Sequence, residues 1–207
     1  ATPVLQRPLA LGADVVIHST TKFINGHGTV IGGALVSRDA DFIENGGGAL
    51  VRYMGAVPSA LDCWLTSIGL KTLPLRMREH CSNARVIAEF LDSHPKVVET
   101  YWPGLESHPQ HDIASRQMDD FGALLSIELG DFDSACRFMD GLSMSSLAVS
   151  LGNVDTLVQH PASMTHRLWP PEDRIAVGIT DGLVRISVGI ADSEDIVADF
   201  ERALAGV

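Results

Sequence analysis

Hydrophobic and polar residues follow one another in patterns typical of short strands that alternate with helices. Apolar runs rich in β-branched residues predict buried strands over residues 13–19, 29–37, 97–102, 122–129, 147–151 and 183–188. Apolar residues at helical spacing predict helices over residues 39–45, 58–70, 75–93, 110–119, 131–141 and 171–177, and a last helix that begins near Asp192.

This alternation predicts a layered α/β or α+β fold. The composition changes in the sequence GLKTLP at residues 69–74, where glycine and proline interrupt the apolar pattern. We therefore predict a boundary there, with one domain over residues 1–72 and a second over residues 73–207. The sequence shows no internal repeat and no low-complexity segment.

Composition and charge narrow the possible partners. The chain has 207 residues and a net charge of −11, which disfavours nucleic acid and anionic membrane surfaces as partners. Its apolar runs are much shorter than the roughly 20 residues of a membrane span. Cys63, Cys81 and Cys136 are dispersed, which fits a reducing compartment better than a disulfide framework. We expect a cytoplasmic protein that acts on a small molecule.

Lys22 is the sharpest chemical feature of the sequence. It directly follows a predicted buried strand and stands next to the hydroxyls of Ser19, Thr20 and Thr21. A lysine at the end of a buried strand can act as a nucleophile or a base, and neighbouring hydroxyls can hold a phosphate. This combination suits pyridoxal phosphate, which needs both groups. A solvent-exposed loop lysine beside turn-forming residues is the alternative interpretation of the same pattern.

The sequence around this lysine resembles a known family. HSTTKFINGHGTVIGGALVS, at residues 18–37, is similar to the cofactor-lysine segment of the pyridoxal-phosphate enzymes of cysteine and methionine metabolism. Further blocks match this family in the same order: GLKTLPLRMREHCSNA at 69–84, YWPGLESHPQH at 101–111, AVSLGNVDTLVQHPASMTH at 148–166 and GITDGLVRISVGIADSEDI at 178–196. The resemblance covers essentially the whole chain.

The resemblance implies roles for the residues near the lysine. Lys22 would carry the cofactor covalently and then move protons as a base and an acid. Ser19 and Thr21 would hydrogen-bond the cofactor phosphate. Ser150 and Leu151 would line the carboxylate end of the substrate pocket, and Ser150 would also steer the lysine amine. A strand-end serine is equally typical of ordinary turn chemistry.

Arg185 is the candidate for binding the substrate carboxylate. The resemblance implies this role, and a guanidinium fork binds a carboxylate through two parallel hydrogen bonds. Its position inside an apolar strand, LVRIS, makes a surface salt bridge the weaker alternative. His160 and His166 are six residues apart, which does not suit a metal pair on one helix face, so we expect no metal.

The resemblance also implies a fold and an activity. The fold would be the end of an aspartate-aminotransferase-like (fold type I) domain that binds pyridoxal phosphate, followed by a smaller α+β C-terminal domain. The sequence is most similar to the methionine γ-lyase branch, which implies α,γ-elimination of L-methionine to methanethiol, ammonia and 2-oxobutanoate. An O-acetyl- or O-succinylhomoserine sulfhydrylase, a cystathionine γ-synthase and a cystathionine γ-lyase are the alternatives. A homotetramer of tight dimers is the implied assembly.

The resemblance further implies that part of the family's active site is missing from this chain. Family members are longer, and their additional half supplies the aspartate on the pyridine nitrogen and the aromatic residue that stacks on the cofactor ring. We therefore expect this chain to be a C-terminal half that is inactive alone. The alternative of another class is a non-catalytic fragment that acts only in folding or oligomerisation.

Overall fold

The computed structural model describes residues 1–207 and contains seven strands and six α-helices. The strands are β1 (Val15–Ser19), β2 (Gly33–Ser37), β3 (Glu99–Tyr101), β4 (Leu124–Glu128), β5 (Ser146–Leu147), β6 (Leu157–Gln159) and β7 (Leu183–Ser187). The helices are α1 (Gly48–Met54), α2 (Ala60–Ser93), α3 (His111–Gln117), α4 (Phe132–Gly141), α5 (Pro171–Ala176) and α6 (Ser193–Leu204). None of the helices is both long enough and apolar enough to span a lipid bilayer.

The strands form two separate sheets. β1 and β2 pair antiparallel as a two-stranded sheet, with Ser19 opposite Gly33 at the end where the lysine turn, Thr20–Ile24, begins. The other five strands form one mixed sheet in the order β3-β4-β7-β6-β5, in which only the β5–β6 pair is parallel. The observed architecture is therefore α/β with a mixed sheet.

The core lies between the five-stranded sheet and the helices α2, α4 and α6. Along β7, Val184 and Ile186 are fully buried in this core, and Arg185 between them points to the opposite face because side chains alternate along a strand. Arg185 is opposite Ser126 of β4 and Gln159 of β6. The alternation that buries the core thus also presents the arginine at the centre of the other face.

Helix α2 differs from the sequence-based prediction. The pattern predicts two helices, over 58–70 and 75–93, but the structure has one continuous helix of 34 residues with Pro74 inside it. The side chains of Thr72 and Arg76 both donate hydrogen bonds to the Gly69 carbonyl, within the turn that precedes the proline. The helical path therefore continues where glycine and proline predict a break. The predicted domain boundary between residues 72 and 73 falls inside this helix, and the division into two domains stays a prediction.

Two of the predicted strands need correction, and one strand has no counterpart in the prediction. The strand predicted over 29–37 is confined to β2, because residues before Gly33 pair with the lysine turn instead. The short strand predicted over 147–151 is also shifted, to β5. Strand β6 was not predicted at all, although it is fully buried between β5 and β7, because it has only three residues. A run that short carries no measurable periodicity.

The first half of α2 presents an apolar face that this chain does not cover. The sequence predicts Leu61, Trp64 and Ile68 on one helix face, and the structure leaves Leu61 and Trp64 each 60% exposed. Cys63 on the same helix is also exposed, whereas Cys81 further along is buried. Burial on α2 begins at Gly69, which lies against Asn25, and continues through Leu73 and Met77.

Candidate active site

Lys22 lies in a short π-helical turn, Thr20–Ile24, that directly follows β1. At Lys22 the backbone departs from helical geometry, with φ −90° and ψ −138°. The turn is closed behind the lysine, because the backbone N–H of Gly26 donates to the Lys22 carbonyl at 2.8 Å. Phe23 points into the core and is buried, and the Lys22 side chain is half-buried. The turn therefore anchors itself through Phe23 and leaves the lysine amine accessible.

The lysine amine meets a residue from the distant half of the chain. Lys22 Nζ donates a hydrogen bond to Ser150 Oγ over 3.3 Å, and 128 residues separate the two. The segment that carries Ser150 is held beside the turn by Gly152, whose backbone N–H donates to Ser187 Oγ at 2.9 Å. A Cβ atom on Gly152 would lie 2.7 Å from the Phe23 backbone nitrogen, so the two segments are in close contact.

Arg185 lies on the other side of the same serine. Its Nη2 donates to the carbonyl of Ser150 at 2.8 Å and to the carbonyl of Val149 at 3.1 Å. Its Nε is buried and has no hydrogen-bond partner. Burial lowers the pKa of Arg185 from the usual value of a guanidinium. A buried donor without a partner is costly, so the site is suited to an acceptor that is not part of the chain.

The two predicted phosphate ligands differ in their present contacts. The Thr21 hydroxyl is already bonded to Gly32, accepting from its N–H at 2.9 Å and donating to its carbonyl at 3.3 Å. The Ser19 hydroxyl is exposed and makes no hydrogen bond within the chain. Thr21 therefore links the lysine turn to β2, whereas Ser19 is free to bind an anion.

A cavity of about 240 Å³ opens beside the lysine. Ser19, Lys22 and Leu151 line it, together with His18 and Phe121. Ser150 and Arg185 do not line the cavity. Ser150 accepts a hydrogen bond from the Lys22 amine, which does line it, and Arg185 donates to the Ser150 carbonyl. The structure thus brings Ser19, Lys22, Ser150, Leu151 and Arg185 into one neighbourhood.

The residues present fit part of pyridoxal phosphate. An accessible amine, Lys22 Nζ, faces a cavity, and the unbonded hydroxyl of Ser19 lines the same cavity. These are the two groups that the aldehyde and the phosphate of the cofactor require. The same amine donates to Ser150 Oγ, and Gly152 of that segment lies against the lysine turn.

Two buried residues next to the lysine turn were missed by the sequence analysis. Arg76 donates to the carbonyls of Phe23 and Ile24, and the imidazole of His80 packs edge-on against the Phe23 ring with the ring centroids 5.0 Å apart. The sequence does contain a signal for both residues, because they fall at helical spacing with Leu73 and Met77, on the buried face of α2.

Known proteins resemble this chain over nearly its whole length. The model of the family described as Cys/Met metabolism PLP-dependent enzyme matches residues 1–205. An L-methionine gamma-lyase of Fusobacterium nucleatum subsp. polymorphum is 52% identical over 207 residues, which cover 99% of this chain and 52% of that protein. A cystathionine beta-lyase of Lactococcus lactis subsp. cremoris is 47% identical over 204 residues, covering 99% of this chain and 53% of the relative.

A solved structure has the same fold. The crystal structure of a cystathionine gamma-lyase from Micromonospora echinospora superposes with a TM-score of 0.95 at 48% sequence identity. The match covers 100% of this chain and 54% of that one. The chain therefore spans about half the length of the relatives that it matches.

Proposed function

Because the chain belongs to the Cys/Met metabolism family of PLP-dependent enzymes, we propose that the whole protein containing it cleaves L-methionine by α,γ-elimination. The products are methanethiol, ammonia and 2-oxobutanoate. Pyridoxal phosphate is the cofactor of the family, and cleavage of carbon–sulfur bonds is the family's chemistry. The 52% identity to an L-methionine gamma-lyase supports methionine as the substrate.

One contact carries the proposal. The hydrogen bond between Lys22 Nζ and Ser150 Oγ joins the lysine turn to the segment that Arg185 holds. A base for the substrate and a cation for its carboxylate therefore lie on either side of one serine. This is the arrangement that an α-amino acid requires, because its acidic proton and its carboxylate share one carbon.

Each residue has a role that follows from its chemistry. Pyridoxal phosphate, when bound, supplies an electron sink for the bonds broken at the substrate's α- and β-carbons. Lys22 Nζ holds the cofactor and, once released, removes the proton from the α-carbon. Ser150 Oγ orients the lysine amine, and Arg185 binds the carboxylate with its unpaired Nε. Ser19 and Thr21 would donate to the phosphate of the bound cofactor, Thr21 with the hydroxyl that here donates to the Gly32 carbonyl.

Leu151 supplies an apolar wall. It lines the cavity beside the lysine and is half-buried. An apolar side chain next to the amine excludes water from the reacting atoms. We assign the remaining groups of the site to the part of the whole protein that this chain does not span. A cytoplasmic homotetramer of tight dimers, with sites completed between subunits, is part of the same proposal.

Cystathionine is the second candidate substrate. A cystathionine beta-lyase at 47% identity and a cystathionine gamma-lyase structure at 48% identity are nearly as similar to this chain as the methionine enzyme. These reactions share the roles of Lys22 and Arg185, because each substrate is an α-amino acid with a sulfur leaving group. The residues of this chain therefore support the reaction class more strongly than the identity of the thiol that leaves.

Product analysis with the whole protein separates the candidates. Methionine, cystathionine and O-acetylhomoserine plus sulfide are supplied in turn, and 2-oxobutanoate and the thiol products are measured. We expect 2-oxobutanoate and methanethiol from methionine. Turnover of cystathionine or of the homoserine ester, with no 2-oxobutanoate from methionine, would assign the protein to another branch of the family. The Lys22→Ala variant is the control for product formation that does not require the lysine.

A further inference from the structure

Arg76 lies on the buried face of α2 with its guanidinium against the lysine turn. It is 5% exposed. Its Nη1 donates to the carbonyl of Phe23 at 2.8 Å, and its Nη2 donates to the carbonyl of Ile24 at 3.3 Å. These two carbonyls belong to the residues that directly follow Lys22. One side chain therefore holds the backbone of the lysine turn from outside the turn.

The other bonds of the guanidinium fix it to its own helix. Nη2 also donates to the Gly69 carbonyl at 2.8 Å, and Nε donates to the Thr72 hydroxyl at 3.1 Å. No carboxylate lies within salt-bridge distance of Arg76, in contrast to the other buried arginine, Arg174, which pairs with Asp181 at 2.9 Å. All the acceptors of Arg76 are neutral oxygen atoms.

A buried cation without an anion is an expensive arrangement. Burial lowers the pKa of the Arg76 guanidinium from its usual value, which reflects the cost of removing the charge from water. Such a group persists only where its hydrogen bonds compensate for the lost hydration. Here the compensating acceptors are backbone carbonyls at the lysine turn, so the position of Arg76 and the conformation of the turn depend on each other.

The backbone beyond the turn is shaped to admit the guanidinium. A Cβ atom on Gly26 would overlap with Nη1 of Arg76, and a Cβ atom on Gly69 would overlap with the carbonyl oxygen of Asn25. Residues without a side chain thus stand at the two places where the turn and α2 approach each other most closely. Arg76 adds two hydrogen bonds to this contact, beside the packing of His80 on Phe23. The Asn25 side chain also donates to the Leu65 carbonyl at 3.4 Å.

We propose that Arg76 is a positioning residue for Lys22: by holding the carbonyls of Phe23 and Ile24, it fixes the direction in which the lysine amine points. The turn departs from helical geometry at Lys22 itself, so the side chain's direction depends on how the following residues are held. Without Arg76, the turn is free to relax and the amine loses its fixed distance to Ser150. The inference rests on the proposed role of Lys22.

The test uses the whole protein and two pairs of variants. Arg76→Lys keeps a positive charge but provides a point donor instead of a planar fork, so it cannot hold both carbonyls in the same way. Arg174→Lys makes the same change at the other buried arginine, away from the lysine turn, and is the matched control. Thr72→Val removes one anchor of the Arg76 guanidinium, and Thr72→Ser restores the hydroxyl.

The readouts are cofactor affinity and covalent trapping, besides turnover. Equilibrium dialysis gives the dissociation constant of pyridoxal phosphate, and borohydride reduction followed by peptide mapping gives the fraction trapped on Lys22. We expect Arg76→Lys to weaken cofactor binding by about tenfold or more, as for the loss of a charged hydrogen bond. Its kcat falls by more than its KM rises. We expect Thr72→Val to weaken cofactor binding by about threefold. Thr72→Ser and Arg174→Lys are expected to bind the cofactor about as tightly as the parent protein.

The possible failures are distinguishable. If Arg76→Lys and Thr72→Val lose thermal stability but trap and bind the cofactor as the parent does, Arg76 is only structural and the proposal is wrong. If the parent protein itself traps no cofactor on Lys22, the proposed function fails instead. If Arg76→Lys does not fold, Thr72→Val provides the test of the proposal. Thr72 is exposed, and this variant retains the arginine while removing one of its anchors.

Discussion

The amine of Lys22 and the hydroxyl of Ser150 are 3.3 Å apart, although one belongs to the turn after β1 and the other to the segment between β5 and β6. The fold brings them together by placing Gly152 against the peptide between Lys22 and Phe23. Two chain segments that share no sheet therefore meet at this hydrogen bond. Close by, the Val154 N–H donates to the Gly26 carbonyl at 3.0 Å and adds a second link.

Replacing Ser150 with alanine removes the hydrogen bond to the lysine amine. We expect kcat of the whole protein to fall by about fivefold, because one such bond contributes about 1 kcal/mol and 1.4 kcal/mol corresponds to a factor of ten. Cofactor content is expected to stay unchanged. Steady-state kinetics checks the first expectation and absorbance of the bound cofactor the second. Ser150→Thr keeps the hydroxyl and is the control; equal activity of the alanine variant and the parent would contradict this role.

Replacing Arg185 with glutamine removes the cation proposed to bind the carboxylate. Charged hydrogen bonds contribute about 1.5–3 kcal/mol each, so we expect kcat/KM for methionine to fall by about a hundredfold. The size of the loss is measured by steady-state kinetics.

A substrate without a carboxylate provides the control for Arg185. The amine that methionine would yield on decarboxylation offers nothing for the guanidinium to bind, so the parent and Arg185→Gln are expected to bind it equally as a competitive ligand. A loss of affinity for this amine as large as the loss for methionine would show that Arg185 supports the fold rather than the carboxylate.

The five-stranded sheet illustrates how much of the fold the sequence could predict. β4 and β7 have five residues each with clear apolar alternation, and both were predicted within two residues of their observed ends. β6 has three residues and lies between longer strands, so its burial depends on its neighbours and not on its own pattern. Helix α2 passes through Pro74, and the side chains of Thr72 and Arg76 both donate to the Gly69 carbonyl in the turn before it. Side-chain bonds of this kind are not expressed by local propensity.

Replacing Gly152 with alanine tests the contact between the two segments. Gly152 has φ +78°, and a Cβ atom there would lie 2.7 Å from the Phe23 nitrogen. Gly178 has a similar φ of +81°, but no atom lies within 4 Å of the position of its Cβ. Gly178→Ala therefore reports the backbone strain alone, about 1 kcal/mol, and Gly152→Ala adds the steric clash. We expect the free energy of unfolding to fall by about 2–3 kcal/mol for Gly152→Ala, measured by chemical denaturation. Equal losses in the two variants would contradict the contact.

The buried imidazole of His80 predicts a pH dependence of stability. Its Nδ1 donates to the Val188 carbonyl at 2.7 Å, and its Nε2 is buried without a partner. Burial lowers the pKa of His80 from 6.5 to about 4, with the nearby Arg76 charge acting in the same direction and the Val188 carbonyl opposing it. As the pH falls below 6.5, the unfolded chain therefore binds a proton that the folded chain does not.

The contribution of His80 to the free energy of unfolding is thus complete above pH 6.5 and is lost as the pH falls to about 4. The loss amounts to about 3 kcal/mol over that range. Denaturant titrations at several pH values measure it. His80→Asn keeps a donor for the Val188 carbonyl without titrating, so its stability is expected to change less between pH 7 and pH 4. The same slope in both proteins would show that other groups dominate.

The site could be predicted from the sequence only in part. Lys22, Ser150 and Arg185 lie in segments whose residue order is distinctive, and the structure brings all three together. The sequence pattern did not identify Arg76 and His80 as site residues, because their importance depends on the backbone carbonyls to which they donate. Those carbonyls are 52 to 108 residues away in the chain. Helical periodicity places them on a buried face but does not identify what they contact there.

The central claim is that Lys22 is the residue that carries the cofactor. Borohydride reduction of the whole protein, followed by peptide mapping, tests it most directly. We predict one phosphopyridoxyl group per chain, attached to the peptide that contains Lys22. The adduct on Lys71 or Lys96, the two other lysines of this chain, or no adduct in a protein that still cleaves methionine, would contradict the account.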